Sequence, residues 1–420
     1  MKIGYACIHI GSEATKLSSI MMKNATDEKL RLVIKKNLNA LKNIILYNIE
    51  NDIRMFRISS DIIPFGSHPI NTLDWQNEFH SEFDELRSMV VESNMRVSMH
   101  PGQYTVLNSI RQDVVNRAVE DLKYHCKFLD ALSCSTTCKI VLHIGGVYGD
   151  KKASISRFIE NFSTLPKKIK ARLVIENDDT SYNISDLLSI SKNTGIPVVF
   201  DMLHHQINPP EKALPTSTWI SLAGDTWKEN DGKQKIHYSQ KNSSGKKGAH
   251  SMHIRSSQFL DFYKHNITKD IDIMLEVKDK NLSVIKCNLL TNKSIHVKQL
   301  EQEWARYKYF VLSRSATIYN SIRGLLKDKL NPNTLGFYLL LDEALEHKMN
   351  IGSEINAAQH VWGYISKKAN PIEVKRYQKL LDGYENNESK VQLVKRHLYG
   401  CVKRQGLSYL LQSLYFYILD

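Results

Sequence analysis

Hydrophobic and polar residues between positions 1 and 300 follow two alternating patterns. Short, continuous apolar runs are typical of strands that are buried in a parallel sheet. In the stretches between these runs, apolar residues recur three and four positions apart, which is typical of amphipathic helices. The runs predict eight strands, at Ile3–Cys7, Arg54–Ile58, Met95–Met99, Lys139–Leu142, Arg172–Ile175, Pro197–Phe200, Gln234–Tyr238 and Ile271–Leu275.

Two of the predicted helices have especially regular apolar stripes. One runs from Asp27 to Glu50, and another runs from Val114 to Leu132 with Asp113 as its N-terminal cap. Strands that alternate with helices favour an α/β fold of the (β/α)8 TIM-barrel type, whose active sites lie at the carboxyl ends of the strands. A doubly wound open sheet is the alternative that this alternation leaves open.

Five of the apolar runs end at a side chain that can bind a metal ion. A buried strand that ends in His, Asp or Glu needs a polar partner or a metal for that group. In a closed barrel the strand ends surround one opening, so we expect these side chains to form one site. With four further histidines the candidate ligands are His68, His100, His143, Glu176, Asp201, His204, His237, His250 and Glu276.

The number and type of these candidates favour a site with several ions. A catalytic zinc takes about three protein ligands, so the set is too large for one ion. Two or three divalent ions can activate water and stabilise the oxygens of a phosphate ester during hydrolysis. Mixed imidazole and carboxylate ligands fit Mn²⁺ or Zn²⁺, and ligand type alone does not separate the two. The pattern therefore predicts a metal-dependent phosphodiesterase.

Composition and charge favour a nucleic-acid partner for this enzyme. The chain has 57 Lys and Arg against 44 Asp and Glu residues, and its net charge of +13 favours a polyanion, with nucleic acid ahead of an acidic membrane. No apolar stretch approaches the roughly 18 to 20 residues of a membrane span, and the first residues are strand-like rather than typical of a signal peptide. The six cysteines form no CxxC pair. We expect a cytoplasmic protein with free thiols.

Two segments depart from the alternation of strands and helices. The stretch from Pro209 to Gly248 is polar and predicts long loops on the face of the site, which contribute Trp219 and Trp227. From about residue 300, successive amphipathic helices predict an all-α region. We therefore expect a barrel domain at residues 1–298 and a helical accessory domain at residues 299–420.

A series of motifs runs along the predicted barrel. In order they are Arg57-Ile-Ser-Ser-Asp61, His68-Pro69, Met99-His-Pro-Gly-Gln-Tyr104, Leu142-His-Ile-Gly-Gly146, Leu173-Val-Ile-Glu-Asn-Asp178, Asp201-Met-Leu-His-His205, Lys235-Ile-His237, Ala249-His250 and Met274-Leu-Glu-Val-Lys278. With these motifs the chain resembles the UV damage endonuclease family (UvdE/UvsE), whose barrel is similar to that of endonuclease IV. The motifs span most of residues 1–285 in the order that the family has.

The resemblance implies a reaction and its cofactors. Enzymes of this family nick duplex DNA immediately 5′ to a UV photoproduct and leave a 3′-hydroxyl and a 5′-phosphate. The implied cofactors are two to three divalent ions, with Mn²⁺ ahead of Zn²⁺ or Mg²⁺. Their implied ligands form three sets: His100, His143 and Glu176; Glu176, Asp201, His237 and Glu276; His204 and His250.

The resemblance also implies roles in catalysis and in DNA binding. His68 is expected close to the reacting phosphate, and Lys235 matches a family lysine that can be carboxylated, so the implied catalytic set is His68, Glu176 and Lys235.

Three aromatic or amide side chains match family positions that contact DNA. Gln103 and Tyr104 match a pair that enters the duplex at the lesion, where a planar side chain replaces lost base stacking. Tyr5 fits the pattern near the first strand. The chain then departs from the family, because Cys7-Ile-His9-Ile stands where the family has an Asn, so the resemblance assigns no secure DNA contact to His9.

The helical region carries a second resemblance. Trp304-Ala-Arg-Tyr-Lys308, Leu312-Ser-Arg-Ser315 and Asn356-Ala-Ala-Gln-His-Val-Trp-Gly-Tyr364 resemble the YbgA-type helical domain, whose activity is not known. We expect a protein or nucleic-acid partner for this domain, and a monomeric chain. Two rival functions stay open for the barrel, which are an abasic-site endonuclease of the endonuclease IV type and a sugar isomerase or epimerase.

Overall fold

Eight short parallel strands are the central feature of the computed structural model, which describes residues 1–242, 245–292 and 294–418. In chain order they are β1 Ile3–Ala6, β2 Met55–Ile58, β3 Arg96–Met99, β4 Ile140–Leu142, β5 Leu173–Glu176, β6 Val198–Val199, β7 Lys235–Tyr238 and β8 Asp272–Leu275. Their order in the sheet is β6-β5-β4-β3-β2-β1-β8-β7. A parallel bridge joins Asp201 to His237 beyond the two edge strands, so the sheet forms a nearly closed barrel.

The predicted barrel is confirmed, and the open-sheet alternative is wrong. Each of the eight predicted strands forms, and its ends differ from the prediction by no more than one residue. The agreement has a physical cause, since strands that are covered on both faces need apolar residues at nearly every position. All four residues of β5 are buried, for example.

The helices that follow the strands are amphipathic. In chain order they are α1 Asp27–Glu50, α2 Trp75–Glu78, α3 His80–Glu92, α4 Gln112–Ala131, α5 Lys151–Thr164, α6 Lys167–Arg172, α7 Ile184–Thr194, α8 Met202–Ile207, α9 Thr216–Gly224, α10 Ser256–Asn266 and α11 Asn281–Thr291. Helix α1 has the predicted bounds, and its apolar stripe, which includes Leu30, Ile34 and Leu38, is buried.

The predicted cap of α4 is wrong. Arg111 occupies the N-cap position with an extended backbone and no side-chain capping bond, and Asp113 lies inside the first turn. There the Asp113 carboxylate accepts hydrogen bonds from Arg111 at 2.8 Å and from Arg117 at 2.9 Å. A carboxylate in the first turn still stabilises the helix, because it faces the positive end of the helix dipole.

The prediction of long loops on the site face between Pro209 and Gly248 is also wrong in part. Helix α9 forms within this stretch, and Trp219 on it is buried. The indole of Trp227 donates to the carbonyl of Val198 at 2.8 Å and packs beneath the barrel's inner valines. Both tryptophans therefore fill the fold rather than face the site, and Ser243 and Ser244 lie outside the described residues.

The C-terminal region is helical, as predicted. Its helices are α12 Val297–Arg314, α13 Ala316–Leu325, α14 Thr334–Glu346, α15 Ile351–Ile365, α16 Pro371–Glu385, α17 Val391–Gln405 and α18 Ser408–Leu411. They enclose a core of aliphatic and tyrosine side chains in which Val361, Leu398 and Tyr415 are fully buried. None of the helices in the described ranges combines the length and the apolar composition needed to cross a bilayer.

The chain divides into two compact units. One comprises Met1–His9, Ala14–Ile254 and Asp261–Ile285, and the other comprises Ile10–Glu13, Arg255–Leu260 and the described part of Lys286–Asp420. The six cysteines are free, as the sequence predicts.

Candidate metal centre

Glu176, the last residue of β5, lies at the centre of a cluster of histidines. Its side chain is almost fully buried. Oε2 lies 3.1 Å from His100 Nε2 and 3.9 Å from His143 Nε2. Oε1 lies 2.8 Å from His237 Nδ1 and 3.8 Å from His204 Nδ1. One buried carboxylate is thus in reach of imidazoles from four segments of the barrel.

Three groups of side chains bring their ligand atoms together at this end of the barrel. Within each group the atoms lie within 4.8 Å of one another, and the groups are His100, His143 and Glu176; Glu176, Asp201 and His204; Glu176, His237 and Glu276. Sets of about three nitrogen and oxygen ligands are what divalent ions take from proteins. The structure therefore brings seven of the eight metal ligands that the family resemblance implies into groups that could each hold an ion.

The groups divide the ligands differently from the sets that the family resemblance implies. Asp201 lies with His204 rather than with His237 and Glu276. The cause is local, because Asp201 is the N-cap of α8 and its Oδ1 accepts from the backbone N–H of His204 at 2.7 Å. His250, the eighth of these implied ligands, is outside the three groups, and its Nδ1 lies 3.8 Å from Glu276 Oε2.

The two-residue period of the strands explains how these ligands come to share one opening. On β4, β5 and β6, the residue two positions before each ligand is a valine. Val141, Val174 and Val199 pack together in the barrel interior. Because alternate side chains of a strand point to the same face, His143, Glu176 and Asp201 point inward as well, one layer nearer the carboxyl ends.

Backbone carbonyls hold two of the candidate ligands in fixed orientations. Nδ1 of His100 lies 3.0 Å from the Pro101 carbonyl, to which it donates, and Nδ1 of His204 donates to the Asn177 carbonyl at 2.8 Å. Each of these hydrogen bonds leaves the Nε2 lone pair free to bind a metal, which is the usual arrangement around metal-binding histidines.

Two positioning residues, Asn177 and Arg57, are absent from the predicted site. The fully buried amide of Asn177 donates to the Asp201 carbonyl at 3.1 Å and accepts from the Asp201 N–H at 2.9 Å, so it joins the ends of β5 and β6. The Arg57 guanidinium forms an ion pair with Glu276. Both residues lie within the family motifs, and a polar residue inside or directly after a buried strand is the signal that could have identified them.

A buried carboxylate oxygen without a partner supports a metal centre at this position. Among the described residues, Asp201 Oδ2 is buried and has no hydrogen-bond partner, and Asp201 also offers a ligand atom to the group with Glu176 and His204. An unpaired buried polar atom costs about 1–3 kcal/mol, so such atoms are rare unless a ligand satisfies them. Imidazole nitrogens and carboxylate oxygens are the donors that Mn²⁺ and Zn²⁺ accept. The residues therefore fit a divalent cation.

The electrostatics of the carboxylates give a second reason for a cation. Burial raises the pKa of Asp201 to about 7, and the nearby Glu176 and Glu276 carboxylates add to this rise, although His204 opposes it. Burial also raises the pKa of Glu176, but His237 and His100 outweigh it and hold that pKa well below its usual range. Burial and the neighbouring carboxylates thus disfavour the charged form of Asp201, and a divalent cation bound beside it would stabilise that form.

Lys235, the first residue of β7, is a buried amine in the barrel interior. It is 1% exposed, and its Nζ has no hydrogen-bond partner within the described part of the chain. Burial lowers the pKa of Lys235 to about 7, and the positive charges of Arg96 and Arg57 contribute. A substantial fraction of this amine is therefore uncharged near neutral pH.

Two predicted DNA-binding residues lie at the tip of an exposed turn after β3. The turn is closed by a hydrogen bond from the Thr105 N–H to the Gly102 carbonyl at 2.9 Å, and Gln103 and Tyr104 lie between them. Tyr104 is 82% exposed, which is unusual for a tyrosine. His68 is exposed too, on the loop after β2, and is not part of the three ligand groups.

Tyr5 does not lie on a surface that DNA could reach. The side chain is fully buried, its ring packs on Phe56 with centroids 5.0 Å apart, and its hydroxyl donates to Asn48 on α1 at 2.9 Å. The alternation along β1 turns Ala6 toward the barrel interior and Tyr5 toward the helices. His9 is also buried, with Nδ1 3.0 Å from Thr15 Oγ1. The structure therefore corrects the DNA contact predicted for Tyr5.

Comparison with known proteins places this site in a family. The family model described as UV-endonuclease UvdE matches residues 1–305, and a model described as a protein of unknown function (DUF1722) matches residues 308–418. A UV DNA damage endonuclease from Clostridium perfringens is 39% identical over 399 residues, which cover 94% of this chain and 95% of that protein.

Two further relatives match about two thirds of the chain. A UV DNA damage endonuclease from Bacillus cereus (strain G9842) is 34% identical over 63% of this chain and 84% of its own length. The crystal structure of SacUVDE superposes with a TM-score of 0.64 at 39% identity and covers 68% of this chain and 96% of that one. With a family match over more than half of its length, this chain belongs to the UvdE family of UV endonucleases, enzymes that act on DNA.

Proposed function

We propose that this enzyme nicks duplex DNA immediately 5′ to UV photoproducts such as pyrimidine dimers and leaves a 3′-hydroxyl and a 5′-phosphate. The observation that carries the proposal is the buried Glu176 carboxylate, which three groups of ligand atoms share. A centre of this kind suits hydrolysis of a phosphodiester, because several ions can act on the attacking and leaving oxygens together. Membership of the family supports damaged DNA as the substrate.

The proposed cofactors are two to three divalent ions, with Mn²⁺ ahead of Zn²⁺ or Mg²⁺. The side chains that would hold them are His100, His143, Glu176, Asp201, His204, His237, His250 and Glu276. When bound, such ions lower the pKa of water and stabilise negative charge on phosphate oxygens. Glu176 is the proposed bridge, since its two oxygens face different histidines.

The surrounding residues keep this centre in a reactive geometry. Arg57 holds the Glu276 carboxylate in its charged form, because the guanidinium lowers the pKa of Glu276 against the opposing effect of burial. Asn177 fixes the ends of two strands, so that Glu176 and Asp201 stay in register. Groups that are already held in a productive geometry lose less conformational entropy when the reaction takes place.

Lys235 and His68 are the proposed catalytic residues besides Glu176. Carboxylation of Lys235 requires the uncharged amine, which the lowered pKa supplies. The amine nitrogen bonds to the carbon of CO₂ and releases one proton, so that a carbamate with one negative charge replaces a cation in the barrel interior. His68 is exposed and can approach a phosphate of bound DNA, to which an imidazole can donate a hydrogen bond.

Lesion recognition is proposed for Gln103 and Tyr104. Their turn presents an exposed ring and an exposed amide on the carboxyl side of β3, beside the His100 segment. A planar ring can stack where a damaged dinucleotide leaves the helix, and damage lowers the free energy needed for unstacking. The Thr105 hydroxyl donates to Asp121 at 2.6 Å and anchors the base of the turn.

The test compares three supercoiled plasmids, which are UV-irradiated, undamaged and abasic, each incubated with the protein and Mn²⁺. We expect nicking of the irradiated plasmid, and end-labelled duplexes with one defined dimer should yield a 3′-hydroxyl directly 5′ to the lesion. Nicking of the abasic plasmid alone would replace the proposal with an abasic-site endonuclease. Absence of nicking together with turnover of a ketose would replace it with a sugar isomerase or epimerase.

Double-stranded damaged DNA is the proposed partner, the chain is proposed to act as a monomer, and the cytoplasm is its proposed location. Sedimentation of the purified protein at several concentrations tests the monomer, which should keep one mass throughout the series.

A further inference from the structure

A concave groove lies between α16 and α17 in the C-terminal unit. Its cavity has a volume of about 450 Å³, and the lining includes Ile372, Arg376, Leu393, Arg396, Gly400 and Arg404. The lining residues recur at intervals of three or four along each helix, so one face of each helix borders the groove.

The segment that builds the groove is strongly basic. Residues 366–406 contain ten Lys and Arg against four Asp and Glu residues, a net charge of +6 in a chain whose total is +13. Fewer than a tenth of the residues thus provide nearly half of the excess charge. A local concentration of positive charge on two neighbouring helices is the electrostatic pattern of a surface that binds a polyanion.

Two of the three groove arginines have no partner within the described part of the chain. Arg376 and Arg396 are exposed, and neither forms an ion pair or a hydrogen bond with another described residue. Arg404 instead binds both carboxylate oxygens of Glu373, each at 2.6 Å, so the one acidic side chain of the groove is already neutralised. Two guanidinium groups are therefore available in a concave surface with no competing carboxylate.

We infer that this groove binds the phosphodiester backbone of DNA, as a contact in addition to the metal centre. A guanidinium offers five N–H donors in a planar fork that matches phosphate oxygens, and backbone contacts fix a protein on a duplex without reading its sequence. Exposed Ile372 and Leu393 at the rim can lie against the apolar faces of the sugars. The inference goes beyond the proposed incision, because it does not depend on where the strand is cut.

The first test measures binding of the full-length protein to an undamaged duplex of several helical turns over a series of salt concentrations. Each phosphate contact contributes about 0.9 to the slope of log affinity against log salt concentration, so Arg376→Gln combined with Arg396→Gln should reduce that slope by about 1.8. Lys329→Gln is the matched control, because Lys329 lies in the same unit and is already paired with Glu301. The slope of the Lys329→Gln variant should differ from the wild-type slope by less than about 0.9, which is the contribution of one phosphate contact.

The second test uses Gly400, at which an added Cβ meets no atom within 4 Å. Gly400→Glu places a carboxylate in the groove and should weaken binding to the duplex by roughly tenfold. Gly400→Ala adds the Cβ alone, and both residues favour a helix more than glycine does, so the Ala variant should fold and bind as the wild type does.

Each outcome decides the assignment. A double arginine variant that keeps the wild-type slope, or a Gly400→Glu variant that binds as tightly as Gly400→Ala, overturns the inference. If the double variant loses binding of inorganic phosphate or a mononucleotide but keeps the DNA slope, the groove belongs to a small phosphorylated ligand and the DNA assignment is wrong. Failure of incision leaves these readouts unchanged, since they use undamaged DNA.

Discussion

At the scale of single residues, Glu176 has the largest influence on the site. It ends β5, it is buried, and both of its oxygens face histidines. The two oxygens of a carboxylate in this position can each face a different cation. An imidazole nitrogen has one lone pair, so it can bind only one cation. The residue therefore decides both the charge and the geometry of the proposed centre.

Replacing Glu176 by glutamine removes the negative charge and keeps the size of the side chain. We expect Glu176→Gln to lower the metal content of the purified protein and to reduce incision of irradiated plasmid by at least about a thousandfold, because a shared anionic ligand is lost. Affinity for damaged duplex should stay within a few-fold of the wild type. Metal analysis, plasmid nicking and fluorescence anisotropy measure the three effects.

Tyr104→Ala is the matched comparison at the exposed turn after β3, where lesion recognition is proposed. The ring is 82% exposed, so its removal should leave metal content unchanged. The preference for damaged over undamaged duplex should fall by roughly tenfold, since base–aromatic stacking contributes about 1–3 kcal/mol. Equal loss of metal in the Tyr104 and Glu176 variants would contradict the separation of the two roles.

His125 gives a residue-level prediction for the dependence on pH. Its Nδ1 donates to the Asp121 carbonyl at 2.7 Å, and its Nε2 lies 2.8 Å from the Ser60 hydroxyl. Burial lowers the pKa of His125 below its ordinary value of 6.5, although Asp121 opposes the shift. The folded chain thus keeps the ring neutral while the unfolded chain takes up a proton below that value, and stability from this group is lost as the pH falls.

We therefore expect His125→Gln to be less stable than the wild type near neutral pH, by about 1–2 kcal/mol for the lost buried hydrogen bonds. The difference should shrink at about pH 5.5, because only the wild type must keep an imidazole unprotonated there. Thermal unfolding of both proteins at the two pH values measures it. A difference that grows on acidification would show that the folded state prefers the charged ring.

At the scale of elements, the loop after β4, which follows His143, packs tightly against the segment after β3. Gly145 has φ of +114°, and a Cβ there would lie 2.4 Å from Asn108 Oδ1 and 2.9 Å from Val106 Cγ1. The Asn108 amide in turn donates to the Gly146 carbonyl at 2.7 Å. The segments that follow β3 and β4 are thus held together beside two of the candidate ligands.

Gly145→Ala should therefore lower thermal stability and the binding of metal together. A positive φ costs a non-glycine residue on the order of 1 kcal/mol, and the steric overlap adds to it. Gly149→Ala is the control, because Gly149 also has a positive φ, of +82°, but an added Cβ meets no atom within 4 Å. Differential scanning fluorimetry with and without Mn²⁺ measures the thermal stability and the metal binding of both variants. The comparison of the two variants separates backbone strain from steric overlap, and equal effects in both would rule out the contact with Asn108 as the cause.

At the scale of the whole molecule, the chain combines a barrel with a helical region. The match to the relative from Clostridium perfringens covers 94% of the chain and so extends into both regions. The family models meet between residues 305 and 308, whereas the compact units divide near Ile285 and Lys286. The boundary at residues 298 and 299 stays a prediction. A shared span over both regions is consistent with a role for the helices in the same enzyme.

Metal should stabilise the barrel as a whole, since its proposed ligands come from six of the barrel's strand-end segments. Removing metal with a chelator is expected to lower the unfolding temperature, and adding back Mn²⁺ should restore it. At a free concentration a hundred times the Kd, each site adds about 2.7 kcal/mol. Calorimetry gives the shift and elemental analysis gives the stoichiometry, where fewer than two ions per chain would count against the clustered centre.

Much of the fold and the site could be predicted from the sequence because the relevant signals are local. Continuous apolar runs identified every strand, and a ligand-type residue at the end of a run identified most of the candidate centre. The prediction failed for Asp113, Trp219 and Tyr5, where the environment depends on contacts with other segments. A single apolar or aromatic residue in a strand does not indicate which face of the strand will be turned to the core.

The sequence by itself determined the strands, the helices and the chemical types of the ligands, because burial on both faces of a strand and a polar strand end leave marks within a few residues. Only the tertiary structure decided which side chains meet. The ion pair between Arg57 and Glu276 joins residues 219 positions apart, and the Glu176 carboxylate meets His100 and His237 across 76 and 61 positions of the chain. Such contacts depend on barrel closure and strand register, which no local pattern specifies.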